Sequence, residues 1–167
     1  MDKIEARKIA LELRKNKDSK TISKIVVDKI IESKILEKYN HIGIYYPIKN
    51  EIDITYLVEY YKEKNFYLPK TKDEITFASY KYKDSLVDGK FKTKEPNTKD
   101  IDRDIMDCII MPCVGVSNNQ RIGYGKGYYD RYLEGYKGFI IGVIYSDCVF
   151  DCNMDIHDQK IDFLFRG

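Results

Sequence analysis

Phe139-Ile140-Ile141-Gly142-Val143-Ile144-Tyr145 is the most continuous apolar run in the chain. A run of this kind suits a central strand of a parallel sheet, buried on both faces. Shorter β-prone segments stand before and after it: Ile42–Tyr46 closed by Pro47, Phe66–Leu68 closed by Pro69, the alternating Ile75–Tyr80, Cys108–Met111 ending at Pro112, and Phe163–Phe165. Between the first two, Asp53 or Thr55 opens a helix carrying Leu57, Val58, Tyr60 and Tyr61. Strand, loop, helix, strand is the order of a βαβ unit with a right-handed crossover. The expected fold is a single α/β domain over residues 1–167, Rossmann-like and three-layered, with a largely parallel sheet flanked by helices.

Two amphipathic helices precede the first strand. One covers residues 3–15, with Ile4, Ile9, Leu11 and Leu13 among Lys3, Arg7, Lys8, Arg14 and Lys15, and has a strongly basic exposed side. Lys3 and Arg7, four apart, project from the same face. The other covers residues 21–36, capped by Thr21 or Ser19. Residues 81–106 are the least periodic, and an irregular stretch of that length reads as a binding loop or lid.

The balance of charge excludes some functions. Lys and Arg total 29 against 27 Asp and Glu, a net charge of +2, so there is no electrostatic footprint for nucleic acid. No apolar run is long enough to span a bilayer and no hydrophobic signal follows Met1, which points to a cytoplasmic protein without a membrane partner. Cys108, Cys113, Cys148 and Cys152 match no zinc spacing and read as reduced structural thiols.

The chemistry concentrates in Arg121-Ile122-Gly123-Tyr124-Gly125-Lys126-Gly127-Tyr128-Tyr129-Asp130-Arg131-Tyr132-Leu133. Glycines at alternate positions let a backbone come close to a ligand. Their N–H groups can form an anion cradle, reinforced by the N-terminus of a following helix. Two of the six arginines fall in this string, and the guanidinium fork suits phosphate. It is not a P-loop, because Lys126 is followed by Gly127 and Tyr128 rather than a hydroxyl residue. Nor is it a dinucleotide fingerprint, whose third glycine would fall at Tyr128.

Over its full length the string closely resembles the signature of the 5-formyltetrahydrofolate cyclo-ligase family. The resemblance extends in order through Lys3-x-x-x-Arg7, Tyr46-Pro47-x-x-x-Glu51, Glu95-Pro96, Pro112-x-Val114-Gly115 and His157-Asp158-x-x-x-Asp162. It implies an ATP- and Mg2+-dependent enzyme that converts 5-formyltetrahydrofolate to 5,10-methenyltetrahydrofolate, with ADP and phosphate released, working as a monomer. The alternatives are a folate- or nucleotide-binding homologue without catalysis, and a nucleic-acid-binding module.

By the same resemblance, ATP is held by Lys3, Arg7, Arg121, Ile122, Gly123, Tyr124, Gly125, Lys126, Gly127, Tyr128 and Tyr129. Arg121 and Lys126 neutralise charge during transfer. The folate meets Tyr46, Glu51, Glu95, Tyr124, Gly125, Lys126, Gly127 and Tyr128, with Glu51 accepting from pterin N–H groups. Asp130 and Asp158 ligate magnesium, directly or through water.

Overall fold

The computed structural model describes residues 1–167. Helix α1 (Lys3–Arg14) starts where the Asp2 side chain accepts the Glu5 N–H at 2.8 Å. Helix α2 (Ser19–Ser33) is capped by Asp18, which takes both the N–H and the hydroxyl of Thr21; neither Ser19 nor Thr21 is the cap itself. It stops at Lys34, which turns left-handed at φ 58°.

Strand β1 (His41–Gly43) is followed by α3 (Tyr56–Tyr60), β2 (Asn65–Thr71) and β3 (Ile75–Tyr80). The irregular stretch after β3 forms a small antiparallel pair, β4 (Leu86–Asp88) with β5 (Lys94–Pro96). Strand β6 (Cys108–Pro112) then enters the main sheet with all five residues buried.

Between β6 and the glycine string lies a hairpin that periodicity did not reveal, β7 (Gly115–Ser117) and β8 (Gln120–Ile122). Its turn is Asn118-Asn119, both at positive φ (48° and 59°). That matches a two-residue hairpin loop, where asparagine tolerates the left-handed region better than most residues. The string closes on α4 (Tyr128–Tyr132), and β9 (Phe139–Ile144) and β10 (Phe163–Arg166) complete the chain.

The six-stranded sheet runs β10-β9-β6-β1-β2-β3. All of its pairings are parallel except β2 with β3. The expected α/β architecture is therefore the observed one, and the apolar run of β9 lies between two strands with five of its six residues buried. The chain leaves β1 in one direction, to β2 and β3, and returns on the other side of β1 with β6, β9 and β10. The order thus reverses between β1 and β6, and ligands in open α/β sheets collect outside the carboxyl ends at such a reversal.

Fully buried Ile42, Leu68, Ile109 and Ile110 fill the centre of the core, at about 1.5–3 kcal/mol of favourable transfer per large aliphatic side chain. No helix is long and apolar enough to cross a membrane.

Candidate active site

A cavity of about 530 Å³ opens at the reversal point. Its walls are the turn after β1, the end of β6, the glycine string and the first turns of α1. Every expected site residue except Glu95 lines it: Lys3, Arg7, Tyr46, Glu51, residues 121–130 and Asp158.

Glu95 lies one layer behind. Its buried carboxylate accepts the Thr71 N–H at 2.7 Å and the Thr93 hydroxyl at 3.1 Å. Thr71 and Thr93 are the residues that reach the wall. Glu95 therefore shapes the cavity through them.

Helix α1 delivers cations. Its buried face is Ala6, Ala10 and Arg14, whereas Ile4 and Leu13, expected to be apolar anchors, are exposed. Small alanines bring the helix close to the core, and Lys3 and Arg7 point inward along the same side. Arg7 Nε donates to the carbonyl of Gly123 at 2.6 Å. Lys3 Nζ reaches both oxygens of Asp158, at 2.9 and 2.8 Å. The basic side of this helix is thus partly the wall of the site. Arg14, read from the sequence as part of a solvated side, is only 3% exposed; what withdraws it from water is its contact with the ring and hydroxyl of Tyr124.

Arg121 is set by β8, buried, and fixed at two points. Its Nε donates to the Pro112 carbonyl at 2.6 Å, and the guanidinium carbon lies 4.5 Å from the centre of the Tyr129 ring. Gly123 is required by this arrangement, because a Cβ there would fall 2.4 Å from Arg121 Nη1. At Gly127 the backbone turns left-handed, φ 70°, just before α4, a conformation that costs other residues strain. Helix α4 has only five residues, so the dipole expected to reinforce the cradle is slight. The backbone N–H groups and the flanking cations are the groups left to attract an anion.

Five basic residues line the cavity (Lys3, Arg7, Lys49, Arg121, Lys126) against three acidic ones (Glu51, Asp130, Asp158). Lys3 is taken up by Asp158, while Arg7, Lys49, Arg121 and Lys126 have no carboxylate within ion-pair distance. Cations held close together without counter-charges favour a polyanion.

Glu51, from the turn after β1, also lines the cavity and is buried. One oxygen accepts the Ile48 N–H at 2.9 Å and the other accepts the Tyr124 hydroxyl at 3.2 Å. Burial pushes its carboxyl above the usual range, against the pull of the Ile48 N–H, Arg14, Tyr124 and Arg121. Tyr46, Tyr124 and Tyr128 supply aromatic faces on the same cavity. Phe91, from the irregular stretch, joins them, with its ring centre 6.4 Å from that of Tyr128.

Asp130 is tied to the residue next to Asp158: its Oδ1 accepts the Gln159 N–H at 2.9 Å. No group of three or more His, Cys, Asp or Glu side chains is gathered for a metal. Two carboxylates suit a magnesium ion that takes its remaining ligands from water and phosphate. The second acidic residue of the tail motif, Asp162, is turned elsewhere, its Oδ2 accepting the Ile140 N–H at 2.8 Å.

Lys49, Phe91, Thr71 and Thr93 were not anticipated as wall residues, nor was Arg14 as a buried neighbour of the site. Arg14 had a signal, since positions 3, 7 and 14 share a helix face. Thr71 is the last residue of β2, and Lys49, Phe91 and Thr93 arrive through connecting segments that carry no periodicity.

The fold and cavity define a doubly wound α/β protein with a polyanion-receptive site at its switch point. Residues 3–163 match the model of the 5-formyltetrahydrofolate cyclo-ligase family. The chain is 32% identical to a Mycoplasma pneumoniae 5-formyltetrahydrofolate cyclo-ligase, over 99% of both chains. It superposes on the NMR structure of Aquifex aeolicus 5,10-methenyltetrahydrofolate synthetase with TM-score 0.87 and 33% identity, covering 99% of this chain and 90% of that one. A Mycoplasma pneumoniae 5,10-methenyltetrahydrofolate synthetase structure gives TM-score 0.83 and 27% identity, covering 99% and 98%. The chain belongs to the 5-formyltetrahydrofolate cyclo-ligase family, a family of ligases.

Proposed function

We propose that this protein converts 5-formyltetrahydrofolate to 5,10-methenyltetrahydrofolate at the expense of ATP, with magnesium. The observation that carries the reading is a single cavity that holds Arg7, Arg121 and Lys126, none in an ion pair, together with buried Glu51 and tyrosines. The cations suit a polyphosphate, and the carboxylate among tyrosines suits a flat ring edge bearing N–H donors.

The formyl carbon is a poor electrophile and its oxygen a poor leaving group. Attack of that oxygen on the γ-phosphorus breaks the bond to ADP and gives an iminium-like formyl phosphate. N10 of the folate then bonds to the formyl carbon and gives up its proton, and the carbon–oxygen bond breaks to release phosphate. Phosphoryl transfer of this kind needs alignment and charge neutralisation more than covalent help from the protein.

Arg121 is held rigidly by Pro112 and Tyr129, so it can meet developing negative charge without reorganising. Lys126 supplies a second, exposed charge, and Arg7 fixes the loop backbone through Gly123. Magnesium held by Asp130 and Asp158 would offset phosphate charge. Glu51 orients the pterin by accepting two N–H bonds, a charge-assisted contact, and Tyr46, Tyr124 and Tyr128 pack against the rings.

The reaction is tested with substrate carrying 18O in the formyl group. ATP-dependent turnover should place the label in the released phosphate, and unlabelled phosphate would exclude transfer through the formyl oxygen.

A further inference from the structure

Helix α1 lines the cavity with Lys3, Arg7 and Leu11, and its last residue, Arg14, reaches Tyr124 of the cavity wall. Arg14 stands eleven positions after Lys3, a rise of about 16 Å along the axis. Lys3 meets Asp158 at one end, and at the other the Arg14 guanidinium carbon lies 5.3 Å from the centre of the Tyr124 ring. Arg14 Nη2 donates to the Tyr124 hydroxyl, and that hydroxyl donates onward to Glu51 Oε2. The Arg14 backbone is pinned as well: its carbonyl accepts the Asn50 amide at 2.6 Å, and the Asn50 carbonyl accepts the Tyr145 hydroxyl at 2.8 Å. Arg14 is thus buried, forms no ion pair within contact distance, and reaches the buried Glu51 carboxylate through one tyrosine.

We infer that Arg14 is a positioning residue for the folate half of the proposed site, holding the Glu51 carboxylate aimed at the pterin through the Tyr124 hydroxyl. A buried guanidinium without a counter-ion is costly, and this relay gives it one at a single remove. Lys49 Nζ lies 4.9 Å from the centre of the same Tyr124 ring, so two cations contact the ring whose hydroxyl makes the relay.

The electrostatics agree. Burial raises the Glu51 carboxyl, and Arg14 and Arg121 pull it back. The other titratable groups acting on Glu51 are hydroxyls and a thiol: Tyr124 on the glycine string, Tyr129 on α4, and Tyr45, Cys113 and Tyr145 just beyond β1, β6 and β9. The two arginines are the only cations among the groups that act on it most strongly.

The inference rests on the proposed function, and the experiment separates the two. Ligand-free wild type, Arg14→Met, Arg14→Lys and Tyr124→Phe are labelled with 13C at glutamate carboxyls, with Glu51→Gln identifying the resonance. The same proteins are assayed with both substrates. Loss of a cation at this distance should raise the Glu51 midpoint by about one unit, roughly a tenfold gain in proton affinity. Arg14→Met and Tyr124→Phe should both shift it, and Arg14→Lys should recover part.

At neutral pH the folate KM should rise at least ~10-fold in Arg14→Met, with the ATP KM held within about twofold. An unmoved Glu51 midpoint in Tyr124→Phe, which preserves the packing, or in Arg14→Met would overturn the assignment. So would equal rises in both KM values. If the wild type fails to turn folate over, the functional reading falls while the Glu51 titration still decides the role of Arg14.

Discussion

Lys3 on the first turn of α1 grips the Asp158 carboxylate through both oxygens, at 2.9 and 2.8 Å, joining the two ends of the chain across the cavity mouth. In the proposed reaction both partners have other work: the lysine meets phosphate and the carboxylate meets magnesium. The pair is partly exposed, with 31% of the Lys3 side chain accessible, and such ion pairs are worth about 0–1 kcal/mol. Lys3→Met should therefore raise the ATP KM about 10-fold or more while changing the melting temperature by no more than about 4 °C. A large loss of stability with unchanged ATP affinity would make the contact purely structural.

Asp130 is tied to the backbone of Gln159 and faces the cavity. Asp130→Asn keeps an acceptor for that N–H while losing the charge. The expected result is a shift of the magnesium requirement to at least ~10-fold higher concentration with an unchanged melting profile. Kinetics unaltered in magnesium dependence would remove Asp130 from the metal site.

Gly123 packs against Arg121 so closely that a Cβ would fall 2.4 Å from Nη1. Gly123→Ala must push a guanidinium already held by Pro112 and Tyr129. A displacement of even 1 Å at a reacting centre can cost ~100-fold in rate. The expected outcome is a kcat loss of that order with destabilisation below about 2 kcal/mol by denaturant titration. Retained kcat would show that Arg121 does not contact the transferring group.

The pH behaviour follows from Glu51. Burial raises its carboxyl above the ordinary value of 4.5, so the folded protein binds this proton more tightly than the unfolded chain. The resulting stability is complete below about 4.5 and is lost as pH rises through the folded value. Wild type should therefore lose stability relative to Glu51→Gln as pH is raised across that window. Activity runs the other way: kcat/KM for the folate falls on the acid side as the carboxylate is protonated. An acid limb that persists unchanged in Glu51→Gln would assign it to another group.

The thiols should be inert where they are buried. Desolvation pushes Cys113 and Cys148 up to about 11, and raises Cys108 as well. Cys152 alone is partly accessible. At pH 8 a thiol reagent should modify Cys152 first and the other three only on unfolding. Rapid loss of all four thiols in the native state would contradict the packing of β6 and of the segments after β6 and β9.

Much of this was legible in the sequence, for identifiable reasons. β9 and β6 are buried on both faces, so they appear as continuous apolar runs. The glycine string is legible because close backbone approach permits little else. The β7–β8 hairpin is hidden in strands of three residues, too short for alternation to register, although Asn118-Asn119 marks its turn. Arg14 was misread because charge suggests solvent, and only the neighbouring Tyr124 ring and the Glu51 relay bring it inside. Glu95 fell one layer from its expected place because a loop residue's direction depends on distant partners, here Thr71 and Thr93.

The central claim is that one cavity serves both ATP and 5-formyltetrahydrofolate. It is tested most directly by following methenyl-folate absorbance with purified protein, 5-formyltetrahydrofolate, ATP and magnesium, omitting each component in turn. The account predicts a rise only in the complete mixture, with one ADP formed per methenyl product. No rise in the complete mixture, or a rise that persists without ATP, would contradict it.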